Sequence, residues 1–360
     1  MKAIELPSYN KPMMKHITII SLNNTRHPRA GGEFVYNVLE DELIQRGYIV
    51  KDYSLPLELG KIKNIKLRKL LTPVYYFYFI LISLMKRYLS KDIVITSSSP
   101  AFPLFGDIVY HQPKASIGIE KGTQTLYEKI AMIIHEKEFL SPLWLLAKKS
   151  HVIHISNSQF TQQLVKKLYK IDSTVVYPPV ETEKYLGLDT SKDRPFSILI
   201  VRPRGITGIN LLNEIIELLP KEVTITVFGK IDQFGKNEIQ LLKNEGYKIN
   251  YLGYIDEKTK IDLFGEYSYY LHLSKNETFG ITVIESMASG CIPVAPKSGA
   301  IPEYLPKQLQ YTSPQEAVKI LLDKEIIKTT REHNREISKN FNRTQFANKI
   351  ISLIEQGFPT

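Results

Sequence analysis

Short apolar segments alternate with helical patterns along most of this 360-residue chain. Buried strands separated by helices are typical of parallel sheets. In the first half the predicted strands are residues 16–22, 48–53, 92–96, 108–111, 152–155 and 174–180. The second half repeats the pattern, with predicted strands at 197–201, 223–228, 249–255, 269–273 and 292–295. We therefore predict an α/β protein with two doubly wound parallel sheets, whose carboxyl edges face each other across a ligand cleft.

The pattern is interrupted at Pro178-Pro179, because a diproline extends neither a strand ladder nor a helix. We place the domain boundary just after it, so that residues 1–185 form the first domain and 186–335 the second. A final amphipathic helix is predicted over 343–356. Its apolar residues leave open whether this helix packs on its own domain or on the first one.

The positive charge is concentrated in the first half. Residues 1–185 carry 25 Lys+Arg and 16 Asp+Glu, whereas residues 186–360 carry 22 and 21, within a total of +10. This asymmetry favours an anionic partner for the first domain. Nucleic acid is not expected, because no basic recognition helix, zinc-finger spacing or aromatic RNA-binding strand is present. A phospholipid surface or a lipid pyrophosphate fits better, and a solubility bias without a partner is the alternative.

One apolar segment, residues 70–85, contains no charged residue for 16 positions and has basic flanks. It is shorter than the roughly 20 residues that a spanning helix needs. A buried helix and a helix lying in the membrane interface both remain possible interpretations. With a single cysteine, Cys291, the chain has no disulfide, and we expect it in the cytoplasm, at the cytoplasmic face of the membrane if the interfacial helix forms.

The stretch 276–302 carries the strongest functional signal, since a strand, an acidic loop and a helix follow each other directly. Glu277 lies in the loop and Glu285 in the helix, eight residues later. Eight residues at about 100° each would return both carboxylates to one helix face. The backbone N–H groups of Phe279, Gly280 and Ile281 are predicted to face a sugar or phosphate at the helix N-terminus.

Other candidates lie where predicted strands end. Gly31 and Gly32 follow the first strand, where glycine lets a ligand approach the backbone, although a plain tight turn is the alternative. His111 ends a strand and is either a packed or a functional side chain. Arg202 and Arg204 follow the first strand of the second domain, and guanidinium groups bind phosphate oxygens bidentately. No histidine pair has metal-ligand spacing, so we expect neither a metal nor a cofactor.

With its two glutamates, the motif resembles that of the GT-B retaining glycosyltransferases, in particular glycosyltransferase family 4 with its mannosyltransferases. The resemblance extends from Gly31 to the last helix. It implies the GT-B fold and a last helix, residues 336–360, that crosses back to the first domain. By the same resemblance, Glu277 lies beside the transferred sugar, Glu285 binds the ribose hydroxyls, and His111 orients the donor sugar.

The resemblance also implies that Gly31 and Gly32 line the cleft near the acceptor and diphosphate, and that Arg202 binds the leaving diphosphate. The chain departs from the family at Thr207, where a lysine is usual, and Arg204 is a chemically sensible substitute. We therefore predict a retaining hexosyltransferase that moves a sugar from a nucleotide-sugar to a glycan, which the basic first half favours as lipid-linked. The alternative is a non-catalytic sugar-nucleotide-binding partner subunit on the same fold.

Overall fold

The structure is a computed structural model, and it describes residues 15–21, 31–54, 78, 81–98, 106–112, 152–191, 193–203 and 205–358. Within these residues the chain forms two six-stranded sheets in which every strand pair is parallel. The first sheet has the strand order β2-β1-β3-β4-β5-β6. Its strands are β1 (His16–Ser21), β2 (Ile49–Ser54), β3 (Ile93–Ser98), β4 (Ile108–His111), β5 (Ile153–Ser156) and β6 (Thr174–Val175).

The second sheet has the order β12-β11-β10-β7-β8-β9. Its strands are β7 (Ser197–Val201), β8 (Thr224–Phe228), β9 (Ile249–Gly253), β10 (Tyr269–Leu271), β11 (Ile292–Pro296) and β12 (Gln310–Tyr311). In both sheets the strand order reverses next to the first strand of the half, β1 or β7. Ligands of open parallel sheets bind at this switch point, beyond the carboxyl ends of the strands.

Besides a helical stretch at 81–88, ten helices connect or flank the described strands. They are α1 (Gly31–Gln45), α2 (Gln159–Tyr169), α3 (Glu183–Leu186), α4 (Gly205–Ile216), α5 (Gln233–Asn244), α6 (Glu257–Glu266), α7 (Ile281–Ser289), α8 (Pro314–Leu322), α9 (Lys324–Ser338) and α10 (Arg343–Gly357). Helices that separate successive parallel strands are what the alternating sequence pattern predicts, so the doubly wound α/β architecture is confirmed.

The last helix, α10, packs on the first sheet. Its apolar face belongs to the same buried cluster as the residues of β1, β3, β4 and α1. The ring of Phe346 meets Tyr110 edge-on at 6.0 Å, and Arg343 forms an ion pair with Asp41 at 2.9 Å. Burying a side chain such as Phe346 contributes about 1.5–3 kcal/mol. The crossing back of the last helix is therefore confirmed, while the exact boundaries after 185 and 335 remain proposals.

Several element bounds differ from the sequence prediction. Residues 174–180 were expected to form one strand, but β6 covers only Thr174–Val175, because the chain then runs into the diproline. The apolar pattern at 211–219 predicts a helix there, but α4 begins six residues earlier, at Gly205. Gly205 adopts a left-handed φ of 61° that turns the chain directly into the helix.

Most of the apolar run 70–85 lies outside the described residues. A helical stretch at 81–88 is described, and it exposes large apolar side chains, among them Leu81, Leu84 and Met85. No helix within the described ranges is both long and apolar enough to cross a membrane.

Candidate functional site

The acidic loop after β10 is held in shape by the loop that follows β11. The Ala300 N–H donates to the Glu277 carbonyl oxygen at 2.8 Å, and the Asn276 N–H donates to Ser298 Oγ at 3.0 Å. Between them, Gly299 has a φ of 64° and packs on the same backbone, where an added Cβ would lie 2.6 Å from the Glu277 nitrogen. These two hydrogen bonds therefore hold the two loops together. A residue larger than glycine at position 299 would push them apart.

The N-terminus of α7 has no side-chain cap. Its N-cap is Gly280, with a φ of 89° and no side chain that could accept a hydrogen bond. A Cβ at Gly280 would lie 2.8 Å from Tyr304 Oη, so glycine is required sterically as well. Elsewhere in the described chain, a side-chain oxygen caps the helices α2, α5, α6, α8, α9 and α10, through Ser158, Asp232, Asp256, Ser313, Asp323 and Asn342. An uncapped N-terminus at a sheet edge is suited to an anion such as phosphate.

The Glu277 carboxylate faces His272, a residue that the sequence analysis did not select. His272 Nε2 lies 3.8 Å from Glu277 Oε2, and His272 Nδ1 lies 2.9 Å from Tyr270 Oη. The carbonyl of His272 also accepts a hydrogen bond from the Tyr311 hydroxyl at 2.8 Å. His272 directly follows β10, and this position at the carboxyl end of a strand is the signal that could have identified it.

Glu285 lies in a different environment from Glu277. Its carboxylate forms an ion pair with Lys260 of α6 at 2.9 Å, and the side chain is buried. Burial, followed by the negative charge of Glu285, raises the pKa of Tyr185 well above its usual value. The pKa of Lys260 is also raised, because Glu285 and Glu257 together outweigh the opposing effect of burial.

The helical-face argument that linked the two glutamates is wrong. Helix α7 begins only at Ile281, so Glu277 precedes it by four residues and Glu285 is its fifth residue. The chain between them turns through the left-handed Gly280, and a rotation of about 100° per residue does not apply there. Sequence spacing also missed Lys260, which only the packing of α6 against α7 brings to Glu285.

The arginine that follows β7 lies at the same sheet edge. Arg202 is exposed, and its side chain runs over Gly229 at the end of β8, where an added Cβ would lie 3.1 Å from the Arg202 Cβ. Thr207 is exposed in the first turn of α4, and Arg204 lies outside the described residues. The structure therefore places one arginine and one helix start at this edge, and the substitution of Arg204 for the missing lysine remains a proposal.

In the first half, Gly31 and Gly32 open α1 and His111 ends β4. The His111 side chain is only 1% exposed. Its Nε2 lies 2.9 Å from Nδ1 of His154, and the two rings are stacked with centroids 5.2 Å apart. Burial lowers the pKa of His111 to about 3 and that of His154 to about 4. Both imidazoles are therefore neutral near pH 7, and neighbouring parallel strands create a pair that sequence spacing did not show.

No group of three or more His, Cys, Asp or Glu side chains in the described part of the chain is arranged to hold a metal ion.

Comparison with protein families gives a match to the model described as "Glycosyl transferases group 1" over residues 188–324, which contains the acidic loop, α7 and Arg202. Two relatives are both described as "GDP-Man:Man(3)GlcNAc(2)-PP-Dol alpha-1,2-mannosyltransferase". The protein from Dictyostelium discoideum is 24% identical over 74% of this chain, and that from Caenorhabditis elegans is 29% identical over 43%. These alignments cover 57% of the first relative and 38% of the second, so the chain matches a little more than half of one protein and less than half of the other.

Solved structures show the same architecture along nearly the whole chain. A glycosyltransferase from Rickettsia africae superposes with a TM-score of 0.69 and 17% identity, covering 98% of this chain and 100% of its own. Sucrose-phosphate synthase from Thermosynechococcus elongatus gives a TM-score of 0.72 with 16% identity, covering 96% and 99%. The chain therefore has the GT-B fold of these proteins, and its residues 188–324 match the family model of group 1 glycosyl transferases.

Proposed function

We propose that this protein is a retaining glycosyltransferase of family 4, which transfers a hexose from a nucleotide-sugar to a glycan. One observation carries the proposal: the uncapped N-terminus of α7 lies at the carboxyl edge of the second sheet, directly after Glu277. An anion at this N-terminus would be stabilised by the free N–H groups and by the helix dipole. The diphosphate of a sugar nucleotide supplies that anion, and Arg202 lies at the same edge to bind it.

For the reaction we propose the front-face substitution that the resemblance to family 4 implies. The bond between the sugar C1 and the phosphate oxygen breaks, and a bond from C1 to the acceptor oxygen forms on the same face. The acceptor proton moves to the departing phosphate oxygen, so no side-chain nucleophile is needed. Arg202 and the α7 N–H groups stabilise the charge that develops on the diphosphate. Glu277 lies beside the sugar, Glu285 accepts from the ribose hydroxyls, and His111 contributes to the sugar pocket from the first domain.

The relatives' names indicate which donor and acceptor to test first. Both name GDP-mannose as donor and a dolichol-pyrophosphate glycan as acceptor. For this chain we propose GDP-mannose and a glycan that is linked to a lipid pyrophosphate. The basic first half would attract that anionic acceptor.

We also propose that the first domain contacts the membrane surface from the cytoplasmic side. The helical stretch at 81–88 exposes Leu81, Leu84 and Met85, and the half-buried Lys86 and Arg87 that follow them form ion pairs with Asp92 and Asp107. Exposed apolar side chains on a helix of a basic half are typical of helices that lie in the membrane interface. Such a contact would bring the cleft to a lipid-linked acceptor.

The decisive experiment is a donor screen. The protein is incubated with GDP-, UDP- and ADP-sugars together with a short synthetic lipid-pyrophosphate oligosaccharide, and nucleoside diphosphate release and glycan elongation are measured. We expect release and elongation with GDP-mannose, and an α-linked product in the proton NMR spectrum, which establishes retention.

Three results would overturn parts of this proposal. A β-linked product would contradict the retaining mechanism while leaving transfer intact. Nucleotide binding without release or elongation would favour the non-catalytic partner subunit, for which Thr207 in place of lysine is the supporting observation. Binding of no nucleotide, measured as an unchanged melting temperature with GDP, UDP and ADP, would remove the transferase proposal altogether.

A further inference from the structure

A carboxylate of the second half binds the first turn of a helix in the first half. Glu303 follows the Ser298–Ala300 loop, in a short 3-10 turn. Its Oε2 accepts from the Gln159 N–H at 2.8 Å, and its Oε1 accepts from the Phe160 N–H at 2.7 Å. Oε2 also accepts from the Tyr177 hydroxyl at 2.9 Å. Three hydrogen bonds thus join the two halves through one side chain.

Helix α2 depends on this carboxylate for its N-terminal cap. Its own N-cap, Ser158, accepts only from the Thr161 N–H at 3.0 Å, and the first turn contains no acidic residue. The two N–H groups that precede Thr161 are bound by Glu303 instead. A negative charge at a helix N-terminus is favoured by the helix dipole, and here that charge comes from the other half of the molecule.

On its other side, the segment that carries Glu303 holds the acidic loop. Ala300 donates to the Glu277 carbonyl, and the hydroxyl of Tyr304 donates to the Phe279 carbonyl at 2.5 Å. Residues 298–304 therefore contact the backbone on both sides of the turn that leads into α7. A shift of Glu303 relative to α2 would be transmitted to Glu277 and to the α7 N-terminus through these bonds.

The two segments that connect the halves meet at the same place. Tyr177 precedes the diproline and Phe341 precedes α10, and the Val180 N–H donates to the Phe341 carbonyl at 2.7 Å. The rings of Tyr177 and Phe341 lie 5.4 Å apart, and Phe279 packs on both of them at 5.9 and 5.5 Å. The aromatic ring of the acidic loop is therefore packed into the junction about which the two halves are joined.

We propose that Glu303 is a positioning residue that fixes the angle between the two halves and, through residues 298–304, the position of Glu277. This inference rests on the proposed transferase function for its catalytic consequence, but the junction itself does not. Because the three hydrogen bonds of the Glu303 carboxylate go to the first half, its loss leaves nucleotide binding in the second half unchanged. It slows transfer and lets water reach the donor, since transfer needs both halves in register.

The test compares four proteins: wild type, Glu303→Ala, Glu303→Gln and Tyr177→Phe. Glu303→Ala removes all three bonds, Glu303→Gln keeps one acceptor oxygen without the charge, and Tyr177→Phe removes a single bond. Hydrogen bonds to a charged group are worth about a factor of ten or more each, so we expect kcat of Glu303→Ala to fall at least about tenfold. The kcat values of Glu303→Gln and Tyr177→Phe should lie between those of wild type and Glu303→Ala. In all three variants the dissociation constant for GDP should be unchanged, and the ratio of donor hydrolysis to transfer should be raised.

Glu316→Gln is the matched control. Glu316 also binds at the start of a helix, where its Oε2 accepts from the Thr312 N–H at 2.7 Å, but all its contacts lie within the second half. We expect wild-type kcat and hydrolysis ratio for this variant. Wild-type kcat in folded Glu303→Ala, or an equal fall in Glu316→Gln, would overturn the positioning role. If Glu303→Ala does not fold, Glu303→Gln and Tyr177→Phe decide the same question.

Two measurements need no turnover and separate this inference from the proposed function. Amide hydrogen exchange should be faster in the 157–162 segment of Glu303→Ala than in wild type, and small-angle scattering should show a wider spread of interdomain distances. If wild type releases no nucleoside diphosphate from any donor, the transferase proposal fails, and these two measurements still decide the junction. Unchanged exchange and scattering in Glu303→Ala would overturn it.

Discussion

The two sheets share one architecture but differ in the chemistry at their carboxyl edges. At the described carboxyl edge of the first sheet, β4 ends at His111, whose neutral imidazole stacks on that of His154, and α1 opens with Gly31 and Gly32. The edge of the second sheet holds charges: Arg202, Glu277 and the Lys260–Glu285 ion pair, together with an uncapped helix N-terminus.

This difference separates what the fold supplies from what the side chains supply. Both edges present a switch point where ligands bind, so the fold alone gives two equivalent places. Charge distinguishes them, because a leaving diphosphate needs oriented positive charge, whereas an acceptor hydroxyl is neutral. Under the proposed function, the second edge would bind the nucleotide and the first the acceptor glycan.

The largest effect should come from removing the charge of Glu277. Glu277→Gln is expected to lower kcat by about 100-fold to 1,000-fold, the range found when one electrostatic stabiliser is removed. Nucleotide affinity should stay close to wild type, because the proposed contact is with the sugar. Steady-state kinetics and GDP calorimetry measure the two quantities. Full turnover in this variant would show that the second edge does not carry the chemistry.

Arg202 should affect donor binding instead. Arg202→Ala is expected to raise the apparent KM for the donor by about 10-fold to 100-fold, because a charge-assisted bond to the diphosphate is lost.

Arg204→Ala should raise the apparent KM for the donor by a similar factor if Arg204 replaces the lysine missing at Thr207. Glu285→Ala should weaken donor binding by about 1–3 kcal/mol. A normal donor constant in Arg204→Ala would leave Thr207 as a true loss of contact.

The pair of His111 and His154 should make the free energy of unfolding depend on pH. Both imidazoles have a folded-state pKa below the unfolded value of about 6.5, so only the unfolded state takes up protons as the pH falls below it. Stability is therefore complete above about pH 6.5 and is lost progressively towards pH 3–4, by about 2 kcal/mol per histidine at pH 5.

Replacing His154 tests this assignment. In His154→Asn the loss of unfolding free energy between pH 7 and pH 5 should shrink by roughly half, as measured by urea denaturation at each pH. Wild type measured under the same conditions provides the reference. An identical slope in His154→Asn would show that the His111–His154 pair is not neutral and buried in solution.

The smallest effect concerns the membrane. Leu81→Ser/Met85→Ser should weaken sedimentation with phosphatidylserine vesicles by about fivefold, from the loss of exposed apolar area on the first half. The remaining binding should fall with salt, because each Lys or Arg near the surface contributes about 1 kcal/mol. Leu241→Ser/Leu252→Ser changes two exposed apolar residues of the second half and should bind as wild type. Equal binding by both variants would contradict a membrane contact on the first half.

The sequence by itself determined the architecture. Alternating apolar strands and helices predicted two parallel sheets, and the strand at 197–201 was predicted with its observed ends. The motif at 276–302 predicted the loop and the helix α7 that follows it. These features are local, because strand and helix periodicity and glycine conformation depend on neighbouring residues. Local pattern misplaced several strand ends by one or two residues, as at the ends of β9 and β10, and it carried the strand at 174–180 five residues past the end of β6.

Tertiary structure alone decided which side chains meet. His111 and His154 are 43 residues apart, Lys260 and Glu285 are 25 apart, and Glu303 lies more than 140 residues from the helix that it caps. The strand and helix periodicity of the sequence does not predict such pairs, because the order of strands in the sheet and the packing of helices bring them together. The separate environments of Glu277 and Glu285 have the same origin: the chain turns between them at Gly280, so their spacing did not predict their partners. The alternation of strands and helices is encoded locally in the sequence. The burial and charge around each side chain at the carboxyl edges of the two sheets depend on the tertiary structure, and they decide its chemistry.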